Sequence, residues 1–347
     1  MIQQAIDQRL DELVCAAAQC MSRWGRPTPT AMALGELRES AANEALARVE
    51  LRLSELAEVF ATQEQGQKSE QLTDAKNELV HLANLAFQEM RVQVDHEAHR
   101  SWRGPLADFD RSWRETHTIE LIDRPNFDKR KRVRLMAGLD HMNVTLGTYA
   151  SFFDALRPFL RTDRPTRIHD LAAGHGGFLL EVANIAKREG LQLELVASDI
   201  AEEYLEMGRA QAAATGLPVR FEVQDALDTS NLAEGAYDIV VCTQSLHHFP
   251  PGLIALLTHE VLRIASRAVV LIDGARSKLN AALGILRYRD IPFAHDSWVS
   301  LRRFFTPEEL GLLARIGALA APHRVVHTKA RFLAPGHIVT VLERPLP

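Results

Sequence analysis

From Arg167 to Ala186 the chain changes period. A short, mostly apolar run, Ile168 to Ala173, is interrupted by His169 and Asp170, and a glycine turn follows at Gly174, Gly176 and Gly177. Phe178, Leu179, Val182 and Ala186 then recur at helical spacing. The pattern predicts a strand, a tight turn and a helix. Missing Cβ atoms let a ligand approach such a turn, and the free N–H groups of the new helix point at it. Turns of this kind also serve purely structural ends. Three more apolar runs follow in series. LELVASD ends at Asp199, VRFEVQDALD passes Asp225, and YDIVVCTQSLHHF leaves its strand through Gln244 and two histidines, His247 and His248. Strands alternating with helices predict an α/β fold with a parallel sheet. Polar residues finishing each strand at one edge put ligand groups in the crevice where open α/β sheets bind. Asp199 lies about two dozen residues past the glycines, where a Rossmann-type unit carries a ribose-binding carboxylate.

Residues 1–103 show no strand-like alternation. Ile6, Leu10, Leu13, Ala17, Cys20 and Trp24 form one apolar seam, and GRPTPT (25–30) breaks it. Leu46, Val49, Leu53, Leu56 and Phe60 form a second, and Val80, Ala83, Phe87, Met90 and Val94 a third. These predict a helical bundle or hairpin. Seams this narrow bury little alone, so the helices are expected to pack on the rest of the chain or on a second subunit. Residues 104–160 read as a bridge, in which Leu139, Met142, Leu146, Phe153 and Leu156 share an apolar face. The basic run 128–134 reads as an exposed helix start. Past the fourth strand come an amphipathic helix, a fifth strand at 266–274, and Arg276 just beyond its end. Thr306, Pro307 and Glu309 spell a capping box. Two further strands separated by Leu333–Gly336 predict a hairpin, with His323, His327 and His337 on strand surfaces.

The strand-end series resembles a class I S-adenosylmethionine-dependent methyltransferase over roughly residues 117–347. The pattern is most like that of bacterial natural-product methyltransferases, on ELIDRP (120–125), His141-Met142-Asn143 and HDSWVSLRRFFTPEEL (295–310). The resemblance implies a Rossmann-like seven-stranded sheet, parallel with an antiparallel final hairpin, beside an all-α N-terminal domain. The division is then 1–103 (helical), 104–160 (bridging or lid helices) and 161–347 (cofactor-binding). It implies S-adenosyl-L-methionine as cofactor, held by Asp170, Ala172, Gly174, Gly176 and Phe178 of the loop. Asp199 and Ile200 would meet the ribose and its surroundings, Asp225 and Ala226 the adenine, and Gln244 the methyl side. Asn143 and Tyr149 are candidate lid residues. The third glycine of a nicotinamide fingerprint is absent, because Phe178 follows Gly177. A nucleic-acid or protein amino-methylating enzyme would carry Asn or Asp before Pro-Pro and an aromatic after the fourth strand, and Thr243-Gln244-Ser245-Leu246 stands there.

Composition narrows the acceptor. With 46% hydrophobic and 24% charged residues, the 347-residue chain has the make-up of an ordinary globular protein with room for two domains. A net charge of −5 offers no general attraction to nucleic acid or anionic membrane. Cys15, Cys20 and Cys242 make neither a disulfide framework nor a metal spacing, and no apolar run is long enough to span a bilayer. The opening MIQQAIDQRLDEL has no signal core, so a cytoplasmic enzyme is expected. The resemblance implies a small aromatic or polyketide-like acceptor methylated at a hydroxyl oxygen or activated carbon; no metal is expected, and dimerisation through the N-terminal helices is. A hydroxyl acceptor must lose a proton, for which His248, His295 and His247 are candidates. The adjacent pair His247 and His248 is expected to point apart. Arg276 is a candidate for an acceptor carboxylate or enolate. The rival reading is a repurposed member that binds cofactor or docks a biosynthetic partner without transferring methyl.

Overall fold

The computed structural model describes residues 29–62, 70–114, 118–124, 126–276, 291–319, 325–331 and 336–343. The seam at Ile6–Trp24 and His323 lie outside these. The elements in chain order begin with five helices, α1 (Pro29–Thr62), α2 (Glu70–His99), α3 (Gly104–Trp113), α4 (Lys129–Thr145) and α5 (Thr148–Leu156). Then come β1 (Thr166–Leu171), α6 (Gly177–Glu189), β2 (Leu193–Asp199), α7 (Glu202–Thr215), β3 (Val219–Val223) and β4 (Tyr237–Thr243). The chain continues with α8 (Pro251–Ile264), β5 (Ala265–Gly274), α9 (Ile291–Arg303), α10 (Pro307–Leu319), β6 (Val325–Arg331) and β7 (His337–Glu343).

The strands form one seven-stranded sheet in the order β3-β2-β1-β4-β5-β7-β6. The first five are mutually parallel, and β7 runs antiparallel between β5 and β6. Both faces are covered, as the period-two side-chain alternation requires. In β4, Ile239 and Val241 enter the core under α5 and α6, while Val240 and Cys242 enter the core under α8 and α10. β5 repeats this with Val270 and Ile272 against Val269 and Leu271. The order reverses between β1 and β4, so a crevice opens at the carboxyl ends of those two strands.

The N-terminal helices are not a separate body. Val49, Leu53, Leu79, Phe87 and Met90 belong to the same core as α8 and α10. Asn84 of α2 accepts a hydrogen bond at 2.9 Å from the Gly252 N–H, one of the free donors in the first turn of α8. Lys76 pairs with the buried Glu260 of α8 at 2.7 Å. The capping box forms: the Thr306 N–H donates to Glu309 Oε2 at 3.0 Å and the Glu309 N–H to Thr306 Oγ1 at 3.3 Å. Asp128 caps α4 through the Lys131 N–H at 2.9 Å. Arg132 departs from the exposed reading of that basic run. It is buried, donating to the Ile122 and Arg124 carbonyls and pairing with Glu203. The bridging helix is two helices, because Gly147 takes a left-handed conformation (φ 67°) between α4 and α5. His337 is buried beside Ser151 and Phe152 rather than on a strand surface, since β7 is an interior strand.

Candidate active site

At the end of β1, Asp170 is wholly buried. Its Oδ2 accepts from the Thr243 hydroxyl at 3.2 Å, and its Oδ1 has no partner among the described residues. Burial drives its carboxyl well above the ordinary carboxylate range. The chain then turns through Ala172 (φ 54°), Gly174 (φ 57°) and Gly176 (φ 74°) into α6. Across the switch point Gln244, at the end of β4, is also left-handed (φ 56°). Two non-glycine residues in that conformation, on neighbouring strand ends, store backbone strain where a ligand crevice opens.

Asp199 ends β2 and is locked to the glycine turn. Its Oδ2 accepts from the Gly174 N–H at 2.8 Å and its Oδ1 from the Ala201 N–H at 2.9 Å. Each oxygen keeps a further lone pair for a ligand hydroxyl. The Gln224 N–H donates to the Asp199 carbonyl at 3.1 Å, which joins the end of β3 to that of β2. There Ala226 is buried, while Asp225 is exposed and turns its Oδ1 onto the Leu227 N–H at 2.9 Å. Ile200, 70% exposed, stands beside Asp199.

The bridging helices reach this turn. Asn143 Nδ2 donates to Gln244 Oε1 at 2.9 Å, tying α4 to the end of β4. Tyr149 comes to the loop through an intermediary. Its hydroxyl donates to Asp140 Oδ1 at 2.8 Å, and Asp140 Oδ2 meets His175 Nε2 at 2.6 Å. The ring of Tyr149 packs against Phe178, which is buried under the loop. Gly177 has no room for a side chain, because a Cβ there would run into the Asp140 carboxylate and stand 3.0 Å from His175 Nε2. The sequence singled out neither Asp140 nor His175.

On the β4–β5 side a second polar group assembles. The rings of His247 and His248 lie 4.2 Å apart, tilted by 38°, instead of pointing apart, because both sit on one turn of 3₁₀ helix over Leu246–His248. His247 is buried, with Nδ1 at 2.9 Å from Asp273 Oδ2 and Nε2 at 3.6 Å from Glu120 Oε1. Burial pulls its pKa down, but the two carboxylates outweigh burial and push it up to about 10. Both ring nitrogens of His247 thus face carboxylates, which corrects its reading as a free base. His248 is exposed, with Nδ1 at 3.3 Å from Asp123 Oδ2. His295 is half-buried, with Nδ1 at 2.9 Å from Asp296 Oδ1. Both Asp296 oxygens also accept backbone N–H groups, Leu121 at 2.6 Å and Ile122 at 3.0 Å, and so fix the segment that carries Glu120 and Asp123. Asp273 ends β5 just as Asp170 and Asp199 end β1 and β2, and the same strand-end rule identifies it.

Arg276 is elsewhere. Its side chain is 2% exposed and pairs with Glu309 at 3.0 Å and Asp110 at 3.4 Å. Arg91 and Arg38 pair with the same two carboxylates. Its guanidinium is consumed in joining α1, α2, α3 and α10, which corrects its reading as an acceptor anchor.

The donor set around the turn suits S-adenosylmethionine: an unpartnered buried carboxylate oxygen, a glycine approach to a helix start, and a strand-end acid with spare lone pairs. Fold and cradle together resemble a class I S-adenosylmethionine-dependent methyltransferase domain. Residues 168–267 match the family described as methyltransferase domain. A demethylmenaquinone methyltransferase of Deinococcus radiodurans is 34% identical over 85 residues, 24% of this chain and 33% of that protein, so the chain spans about a third of that relative's length. Among solved structures, the plantazolicin methyltransferase BpumL with bound S-adenosylhomocysteine is 12% identical over 63% of this chain and 92% of that one, with a TM-score of 0.48. A SAM-dependent methyltransferase from Aquifex aeolicus is 14% identical over 55% and 88% of the two chains, with a TM-score of 0.40. Among the described residues no helix is long and apolar enough to cross a membrane.

Proposed function

We propose that the protein transfers a methyl group to a hydroxyl oxygen or activated carbon of a small organic acceptor, aromatic or polyketide-like, in the cytoplasm. The observation that carries this reading is the juxtaposition across β1 and β4. The Asp170–Gly174–Asp199 cradle lies on one side, and on the other Gln244 leads directly into the His247–His248 turn. When bound, S-adenosylmethionine supplies an electrophilic methyl group on a sulfonium. The chain's own residues do the rest. Asp199 accepts hydroxyl donors, Asp170 Oδ1 accepts a buried donor, and Ile200, Asp225 and Ala226 line the far end. The Asn143–Gln244 pair closes α4 over the crevice. Holding acceptor and methyl in line supplies several kcal/mol of the rate enhancement, roughly 7–11 at best.

His295 is the residue we assign to the acceptor proton. Asp296 engages its Nδ1, which leaves Nε2 as the basic nitrogen, the arrangement a general base needs. The 34%-identical relative, named for demethylmenaquinone, supports a small-molecule acceptor. Self-association through the N-terminal helices belongs to the same proposal. It is supported by the seam at Ile6–Trp24 and by Leu51 and Val92, left 74% and 69% exposed on α1 and α2. The test is incubation with labelled S-adenosylmethionine and a panel of phenolic acceptors. Label is expected in one acceptor, and His295→Ala is expected to lower kcat by about 10²–10⁴-fold while leaving S-adenosylhomocysteine binding unchanged. Cofactor binding without transfer to any acceptor would favour the non-catalytic docking role instead.

A further inference from the structure

We infer that Glu120, His247 and His248 form a binding site for one divalent transition-metal ion of the zinc class, opening on the acceptor side of the crevice. One donor atom from each of the three residues lies within 4.8 Å of the other two. Glu120 Oε1 and His247 Nε2 are 3.6 Å apart. A tetrahedral ion with ligands at 2.0–2.1 Å spaces any two of them by about 3.4 Å, so this edge already has the required length. Two histidines and one carboxylate with an open position are the ligand set of catalytic zinc sites.

The surroundings are built as metal sites are. Ligating histidines donate their other ring nitrogen to a carboxylate, which fixes the tautomer and turns the free nitrogen to the ion. Both histidines have this: Asp273 lies 2.9 Å from His247 Nδ1 and Asp123 3.3 Å from His248 Nδ1. Glu120 is oriented in turn by the Ser300 hydroxyl, which donates to Oε1 at 2.7 Å. Its backbone is fixed through the neighbouring Leu121 and Ile122 N–H bonds to Asp296. Charge points the same way. Glu120 and Asp273 are 5% and 1% exposed and face the same imidazole, so the interior carries more negative charge than one histidine offsets. His248, at the surface end, gives the ion a route in and leaves one position free for an acceptor oxygen. That last role rests on the methyltransferase reading above. The binding of the ion does not.

The test uses the full chain, stripped with EDTA and titrated with Co²⁺ followed by visible absorption, with S-adenosylhomocysteine binding measured on the same samples. One equivalent of Co²⁺ with tetrahedral ligand-field bands, displaced by Zn²⁺, is the expected result. Glu120→Gln and His248→Gln should each abolish the bands, and Asp273→Asn should weaken binding by about 10–100-fold, as loss of an orienting carboxylate does. His99→Ala, on a remote exposed helix end, should change nothing. Retained S-adenosylhomocysteine binding shows that each variant is folded, and His248 is exposed enough to replace without unfolding. Absence of the bands, or bands that survive the Glu120→Gln/His248→Gln double substitution, would overturn the site. Loss of S-adenosylhomocysteine binding in the native chain with the bands intact would instead count against the cofactor cradle.

Discussion

Replacing Arg276 by Met distinguishes a structural ion network from an acceptor anchor. The guanidinium is buried with Glu309 and Asp110, and breaking a buried pair by removing one partner costs about 3–5 kcal/mol. Here the remaining charges keep other partners. Glu309 retains Arg91 at 2.9 Å, and Asp110 retains Arg38 at 3.0 Å. The cost of Arg276→Met therefore belongs at the lower end, about 3 kcal/mol. Glu309→Ala strips the hub. It leaves Arg276 with Asp110 at 3.4 Å and removes the acceptor for the Thr306 N–H at 3.0 Å. That cost belongs at the upper end, about 5 kcal/mol, plus about 1 for the lost cap. Urea unfolding of both single variants and the double gives the cycle. The double should lie well short of the sum, because each single variant already removes the shared Arg276–Glu309 interaction. An Arg276→Met variant that unfolds like the parent and raises the acceptor KM instead would refute the structural role.

Two further outcomes test neighbouring parts of the account. Gly177→Ala drives a methyl into Asp140 and should cost about 1–3 kcal/mol as overpacking. Most of that cost should vanish in an Asp140→Ala background, as read by denaturation of the four members of the cycle. Acid should also loosen the contact of α2 with the sheet domain. Burial raises the Glu260 carboxyl, but Lys76 and the Thr229 N–H outweigh it and hold the folded pKa below 4.5. The stabilisation is therefore complete above about pH 4.3, the unfolded value, and is lost as pH falls through the depressed folded value. Stability measured from pH 6 to pH 3 should fall, and Lys76→Met should make that fall shallower. An identical slope in the variant would count against the Lys76–Glu260 pair.

Much of the proposed cofactor cradle was legible because its signals are local. Asp170, the glycines and Asp199 are marked by a strand's apolar run ending in an acid, which needs no knowledge of tertiary contacts. The strands of the sheet follow from the same runs, and Thr306–Glu309 from capping chemistry confined to four residues. The β4–β5 side of the crevice depends on distant partners. Arg276 stands at a strand end as a ligand arm would, and only the fold brings it Glu309 from 33 positions on and Asp110 from 166 positions back. Glu120 meets His247 across 127 positions of sequence, from a segment without periodicity. The left-handed backbones of Ala172 and Gln244 are invisible in sequence, since neither is glycine. Asp140 sits amid the polar positions of α4, and its meeting with His175 depends on how that helix crosses the loop.

The central claim is that the Asp170–Gly174–Asp199 cradle holds S-adenosylmethionine. Calorimetric titration with S-adenosylhomocysteine beside NADH tests it most directly, in the native chain and in Asp199→Ala. Micromolar binding of the first and none of the second is expected, with Asp199→Ala weakening it by roughly tenfold or more as a charge-assisted hydrogen bond is lost. Binding of NADH, or S-adenosylhomocysteine binding indifferent to Asp199→Ala, would contradict the account.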